Sequence, residues 1–184
     1  MTSTDEVFGT YTVDEAKLFL RAAENDPLYP AFVFLILYGL RRGEVLGLRR
    51  CDLDFTGSVL HVRQQVQQLQ GQLHIGPVKT EAGERDLPLV GVIGEAFVDW
   101  QQRQGDLSHQ VDRANKPETL VFRTSTGRPI QPRNLMRSFR RICMQQGIRI
   151  VRIHDLRHTT ATLLKDLGVA DRDIQLILGT LTCR

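Results

Sequence analysis

Residues 153–169 read IHDLRHTTATLLKDLGV. The segment has the texture of a helix, stopped at Gly168, since glycine accepts the left-handed turn that ends many helices. His154 and His158 stand four residues apart, so both imidazoles project from one helical face. Zinc hydrolases hold their metal this way. Arg157 lies between them, and a guanidinium flanked by imidazole donors equally suits half of a clamp on a phosphate. A third reading is packing alone, with both rings satisfied between helices.

The 184-residue chain has the length of one domain, and 41% hydrophobic with 24% charged residues supports a buried core. The opening MTSTDEVFG has neither the basic nor the apolar region of a secretory signal. The apolar run AFVFLILYG from Ala31 falls well short of the roughly 20 residues that cross a bilayer, so no membrane partner is expected. Cys51, Cys143 and Cys183 are widely separated and form no C-x-x-C pair. That pattern fits a reducing compartment and argues against a cysteine-held zinc.

Charge is unevenly distributed. Between Phe122 and Arg157 lie nine arginines, no lysine and one acid, Asp155, in a chain whose total is only +3. The remainder is therefore mildly acidic. A local basic block points to a polyanion, most often nucleic acid, and planar guanidinium forks match phosphate oxygens better than ammonium groups do. The plainer reading is a solvated helix face. Arg133, Arg137, Arg140 and Arg141, on one expected helix, are the candidate contacts to DNA backbone.

Punctuation along the chain sets the organisation. TVDE at Thr12–Glu15 is a capping box, which predicts a helix to about Ala23, ended before Pro27 and Pro30. An apolar helix over Ala31–Tyr38 follows; Gly39 interrupts it, and RRGEVLGLR resumes helical spacing. SVLHVRQQV, QLHIGPVKT and RDLPLV, separated by turns at Gly71 and Ala82-Gly83, predict a three-stranded antiparallel sheet. Helices are then expected from Ile93 to about Gln104, from Pro132, over HDLRHTTATLLKDLG, and over DRDIQLILG with Asp171 as its cap and Gly179 at its end. QGDLSHQVDRANKPE is expected as a polar loop. The fold class is mainly α with a small three-stranded antiparallel sheet, α+β. The domain runs over residues 12–184 after a tail at 1–11.

The zinc hydrolase alternative, on His154 and His158, has the spacing and little else. Enzymes of that kind carry glutamate directly after the first histidine, as general base, and need a third ligand. Here the following residue is Asp155, and His61, His74 and His109 lie in segments with no evident relation to this helix. Arg157 would add repulsion toward a cation. No metal or other cofactor is expected.

Taken together, the segments resemble the catalytic domain of the tyrosine recombinase (phage integrase) family. YGLRRGEVLGLRRCDLDF from Tyr38 is similar to the family's first arginine box, and R-x-x-E there assigns Arg41 and Glu44. PVKTEAGERDLPL from Pro77 is similar to the β-hairpin that delivers the family's lysine, here Lys79. IHDLRHTTATLLKDLGV is similar to the second box, whose H-x-x-R is His154 and Arg157. VFRTSTGRPIQPRNL and IQLILG complete a resemblance from about Thr12 to Gly179.

The resemblance implies site-specific recombination or integration. A tyrosine attacks a DNA phosphodiester, forms a phosphotyrosyl link and expels a 5′-hydroxyl; a strand hydroxyl later reverses the step, so no cofactor is consumed. Arg41 and Arg157 would clamp the phosphorane oxygens as preorganised, charged donors. Lys79 would give a proton to the departing alkoxide, His154 would hydrogen-bond the phosphate, and Glu44 would orient a guanidinium. Double-stranded DNA is the implied partner, with other recombinase protomers, identical or different, assembled on it. The implied location is the cytoplasm, associated with the nucleoid.

The sequence departs from the family in two places. Thr180 follows ILG, where the family places histidine or tryptophan. Tyr11, Tyr29 and Tyr38 are the only tyrosines, and none stands in the nucleophile's context. The expectation is therefore a catalytic domain cut before its nucleophile, lacking the family's N-terminal DNA-clasping domain, and inactive alone. The competing expectation is a non-catalytic DNA-binding remnant of such an enzyme.

Overall fold

In a computed structural model of the chain, the described residues are 9–89, 91, 93, 94, 97, 98, 116–124 and 126–180. Helix α1 spans Val13–Ala23. Its capping box forms as expected: the Glu15 amide donates to Thr12 Oγ1 at 3.2 Å and the Thr12 amide donates to Glu15 Oε2 at 2.7 Å. Helix α2, Tyr29–Leu37, starts with a proline in its first turn and is buried from Pro30 to Ile36. Helix α4, Pro132–Gln146, turns Leu135, Phe139, Ile142 and Cys143 inward and ends at Gly147, which is left-handed. The three helices meet through aromatic rings, with Phe19 edge-on to Phe32 at 5.2 Å and tilted on Phe139 at 4.9 Å. Such contacts favour edge-to-face geometry because the ring edge is positive and its face negative.

Short helix α3, Arg42–Gly47, follows the Gly39 break. Helices α5, Asp155–Asp166, and α6, Asp171–Leu178, pack against each other, and α5 lies on α2. One cap differs from expectation. Ala170, not Asp171, is the N-cap of α6, and Asp171 is the first helical residue. There its charge still favours the positive end of the helix dipole.

The fold is mainly α with small antiparallel β-structure, but the strands pair differently from the expected order. β1 (Leu53–Asp54), β2 (Val59–Val62) and β5 (Arg85–Pro88) form a three-stranded sheet in the order β1-β2-β5. β3 (Gln64–Leu69) and β4 (Gln72–Pro77) form a separate two-stranded hairpin. SVLHVRQQV is thus divided at Arg63 into β2 and β3, and QLHIGPVKT pairs only with β3. The division has a local cause. The Arg63 guanidinium donates to the Arg85 carbonyl at 3.0 Å, and the Arg63 carbonyl accepts from the Val78 amide at 3.3 Å. Pro77, with no N–H, ends the β4 ladder. Lys79 therefore sits on the link between hairpin and sheet, and not in a turn joining two paired strands.

Ile93 and Phe97, four residues apart, are helical and buried. Gly94 and Val98 are helical as well, and the other residues of the expected helix to Gln104 lie outside the described residues, as do His109 with most of the polar loop, Cys183, and nearly all of the tail. Cys51 and Cys143 are free thiols. No helix among the described residues is long and apolar enough to cross a membrane.

Candidate functional site

Arg41 is the N-cap of α3 and Glu44 its third residue. A carboxylate at that position reaches back to the cap, so Glu44 Oε2 accepts the Arg41 amide at 2.9 Å. The same carboxylate's Oε1 accepts Arg41 Nη1 at 2.7 Å. R-x-x-E is thus a capping geometry that also fixes a guanidinium. Glu44 is buried, with its side chain 1% exposed, while that of Arg41 is 37% exposed.

Arg157 enters from the opposite end of the sequence, on the first turns of α5. It is 7% exposed and donates to the Gly39 carbonyl at 2.8 Å and to the Leu178 carbonyl. Gly39 has φ +58°, and a Cβ there would meet Leu178 Cδ2 at 2.5 Å, so only glycine allows the α2–α3 turn to touch α6. Arg41 Nη2 lies 3.5 Å from the next carbonyl, that of Gly179, at the limit of a hydrogen bond. The two arginines therefore sit side by side at the C-terminal end of α6, where unpaired carbonyls carry partial negative charge.

Both arginines line one cavity of about 690 Å³ together with Lys79, His154, Arg42 and Arg152. All four expected catalytic side chains are thus brought together, with Glu44 behind Arg41. Burial, and then the neighbouring Arg41 charge, pull Arg157 down from 12.5 to about 10, so it is still a cation at neutral pH. Burial, then the charges of His158 and Arg157, hold the His154 ring below the usual histidine range. Burial alone would raise Glu44, but Arg85 and Arg41 hold it below the usual carboxylate range. The site is a concave surface with several fixed cations and one buried counter-charge.

Arg85 went unnoticed in the sequence. It sits in GERDLPL, a stretch that reads as an ordinary strand entry, and no spacing rule joins it to Glu44. In the fold its Nη2 lies 3.1 Å from Glu44 Oε2. A buried acid in R-x-x-E with more acceptor capacity than one arginine fills was the only available hint.

His154 and His158 are both exposed, so their rings are not packed between helices as the third reading expected. His154 is the N-cap of α5 and His158 lies inside it, their rings edge-to-face at 5.8 Å. Among the described residues no three His, Cys, Asp or Glu side chains are grouped to hold a metal. His61 Nδ1 is 2.7 Å from Asp86 on the sheet, and His74 faces Gln67 in the hairpin.

The basic block is not one surface. Arg133, Arg137 and Arg140 are exposed on α4, whose first turn borders the cavity at Pro132 and Met136. Arg141 instead pairs with buried Asp26. Arg149 pairs with Glu15 at 2.5 Å and lies over the Tyr11 ring, its Cζ 5.4 Å from the centroid. Part of the charge excess therefore holds the helices together.

Residues 10–180 match the model of the phage integrase family. The chain belongs to that family. A tyrosine recombinase XerC-like protein of Caldanaerobacter subterraneus is 26% identical over 182 residues, covering 92% of this chain and 46% of the relative. The chain spans about half the length of the curated relatives it matches. The Tn1549 transposon integrase, solved in complex with circular intermediate DNA, superposes with a TM-score of 0.76 at 25% identity, covering 97% of this chain and 61% of that one. XerA recombinase shares the fold, with a TM-score of 0.71 at 22% identity over 97% of this chain and 56% of its own. Within this integrase-family fold, Thr180 uses its hydroxyl on the Gln175 carbonyl at 3.2 Å. Tyr11 and Tyr38 are buried and donate to the carbonyls of Arg149 and Pro88 at 2.9 and 2.7 Å. No tyrosine lines the cavity.

Proposed function

We propose that residues 12–184 are the catalytic portion of a site-specific DNA recombinase that cleaves and rejoins phosphodiesters of double-stranded DNA. The observation that carries this reading is the convergence of Arg41 and Arg157 on one cavity with Lys79 and His154. A phosphodiester seated there meets two guanidinium forks as charge grows on its non-bridging oxygens, the preorganised stabilisation a phosphorane requires. His154 hydrogen-bonds the phosphate, Lys79 protonates the leaving 5′-oxygen, and Glu44 holds Arg41 in plane. Arg133, Arg137 and Arg140 extend the grip along the backbone. DNA as partner is supported by the Tn1549 integrase complex. Assembly with further recombinase protomers on DNA, in the cytoplasm at the nucleoid, belongs to the same proposal.

The second reading, binding without cleavage by these 184 residues alone, is favoured by the tyrosines, two of which are locked in the core. A suicide DNA substrate on a denaturing gel tests both. The chain by itself is expected to bind in a salt-dependent way and form no covalent adduct. Extended with a family-like ending that carries tyrosine, it is expected to form the adduct, and to lose it on Arg41→Ala or Arg157→Ala. An adduct from the chain alone refutes the second reading; none from the extended chain contradicts the first.

A further inference from the structure

Arg85 joins three elements through its three nitrogens. Nε donates to the Ile177 carbonyl of α6 at 2.7 Å, Nη1 to the Gly83 carbonyl at 2.7 Å, and Nη2 to Glu44 Oε2 at 3.1 Å. Its side chain is 7% exposed and that of Glu44 is 1%. A buried ion pair is a poor way merely to hold a sheet against a helix, since an apolar pair of similar volume often does as well or better. What the pair adds is a link. Glu44 holds Arg41 by the amide and by Nη1 while it holds Arg85, so the orientation of either guanidinium constrains the other.

A second observation points the same way. Three successive carbonyls, of Ile177, Leu178 and Gly179, accept from Arg85, Arg157 and Arg41 in that order. The end of α6 thus spaces three cations whose mutual repulsion its partial negative charge offsets. The approach is close enough that a Cβ on Gly179 would meet the Ala82 carbonyl oxygen at 2.6 Å and Arg85 Nη1 at 2.7 Å. Ala82 and Gly83 belong to the short turn that follows Lys79.

We propose that Arg85 is a positioning residue of the phosphate clamp, orienting the fork of Arg41 through Glu44 and holding the Lys79 segment against it through the Gly83 carbonyl. Lysine cannot replace it, because one ammonium does not present three coplanar donors to three fixed acceptors. The inference rests on the clamp reading of the cavity.

Tungstate, a tetrahedral dianion, serves as probe in calorimetric titration, with the Nε–Hε resonance of Arg41 followed by NMR and the thermal midpoint recorded in parallel. Arg85→Met is expected to weaken tungstate binding at least about tenfold and to displace the Arg41 resonance at temperatures where the protein is folded. Arg85→Lys keeps the charge beside Glu44 and is expected to recover part of the thermal midpoint lost in Arg85→Met but none of the affinity. A merely structural role lowers the midpoint and leaves the affinity of the folded protein alone. Should Arg85→Met not fold, Arg85→Lys decides. A folded variant that binds within about twofold of the parent, with the Arg41 resonance unmoved, overturns the proposal. A parent chain that binds tungstate no better than Arg157→Met refutes the clamp itself.

Discussion

Replacing Arg157 by methionine separates a functional arginine from a structural one. The parent side chain is 7% exposed, and burial first, then Arg41, bring its pKa from 12.5 to about 10. At about 1.4 kcal/mol per pH unit, keeping this cation costs the folded state roughly 3 kcal/mol. Methionine removes that cost and keeps the apolar stem packed. It also leaves the carbonyls of Gly39 and Leu178 without their donor. Unsatisfied buried carbonyls cost about 1–3 kcal/mol each, so the two effects nearly cancel. Urea denaturation is expected to place Arg157→Met within about 2 kcal/mol of the parent, while duplex DNA, followed by fluorescence anisotropy, binds at least tenfold more weakly. Because the folded-state pKa is depressed, the penalty is fully present below about pH 10 and is relieved as pH rises toward the unfolded value. The stability gap between parent and variant should therefore shift in favour of the parent across that window. A loss above about 4 kcal/mol with DNA affinity intact would mark Arg157 as an ordinary core arginine and refute the reasoning.

Gly179→Ala places a Cβ at φ +63° against the Ala82 carbonyl oxygen, and should cost more than about 1 kcal/mol in chemical denaturation. Arg133→Ser and Arg137→Ser should each lower the slope of log K against log salt by about 1 with little change in stability. Arg141→Ser should behave oppositely, because it unpairs the 4%-exposed Asp26 carboxylate, so its effect appears in the denaturation midpoint. Glu15, held at about 2 first by its hydrogen bond to Arg149, contributes stability above its unfolded value of 4.5 that is lost as pH falls through 2. Glu15→Gln should flatten the acid limb of stability measured between pH 5 and 2.

Much of the architecture was legible because its signals are local. A threonine three residues before a glutamate, a proline in a first turn and a glycine after a last one each act within a few residues, and α1, α4 and α5 follow them. The four residues that meet in the cavity were named through the family resemblance, and R-x-x-E proves to be a cap geometry. Strand pairing was not. The apolar alternation of Leu60 and Val62 gives way to three polar residues, Arg63 to Gln65, before Val66, but alternation records which face is buried and is silent about which neighbour the strand takes. Arg85 and Asp26 were illegible for the same reason: their partners, Glu44 and Ile177 for one, Ser138 and Arg141 for the other, are near only after folding. The arginine block misled in part, because composition counts charges without saying which are already answered by Glu15 and Asp26.

A phosphate clamp requires that one small anion touch both guanidiniums. A crystal of the protein soaked in tungstate, with tungsten located by anomalous scattering, measures this directly. The predicted result is a single strong peak in the cavity, its oxygens within hydrogen-bond distance of Arg41, Arg157 and the His154 ring. Tungstate bound elsewhere on the basic surface, with Arg41 and Arg157 unengaged at soaking concentrations that saturate other sites, would contradict it.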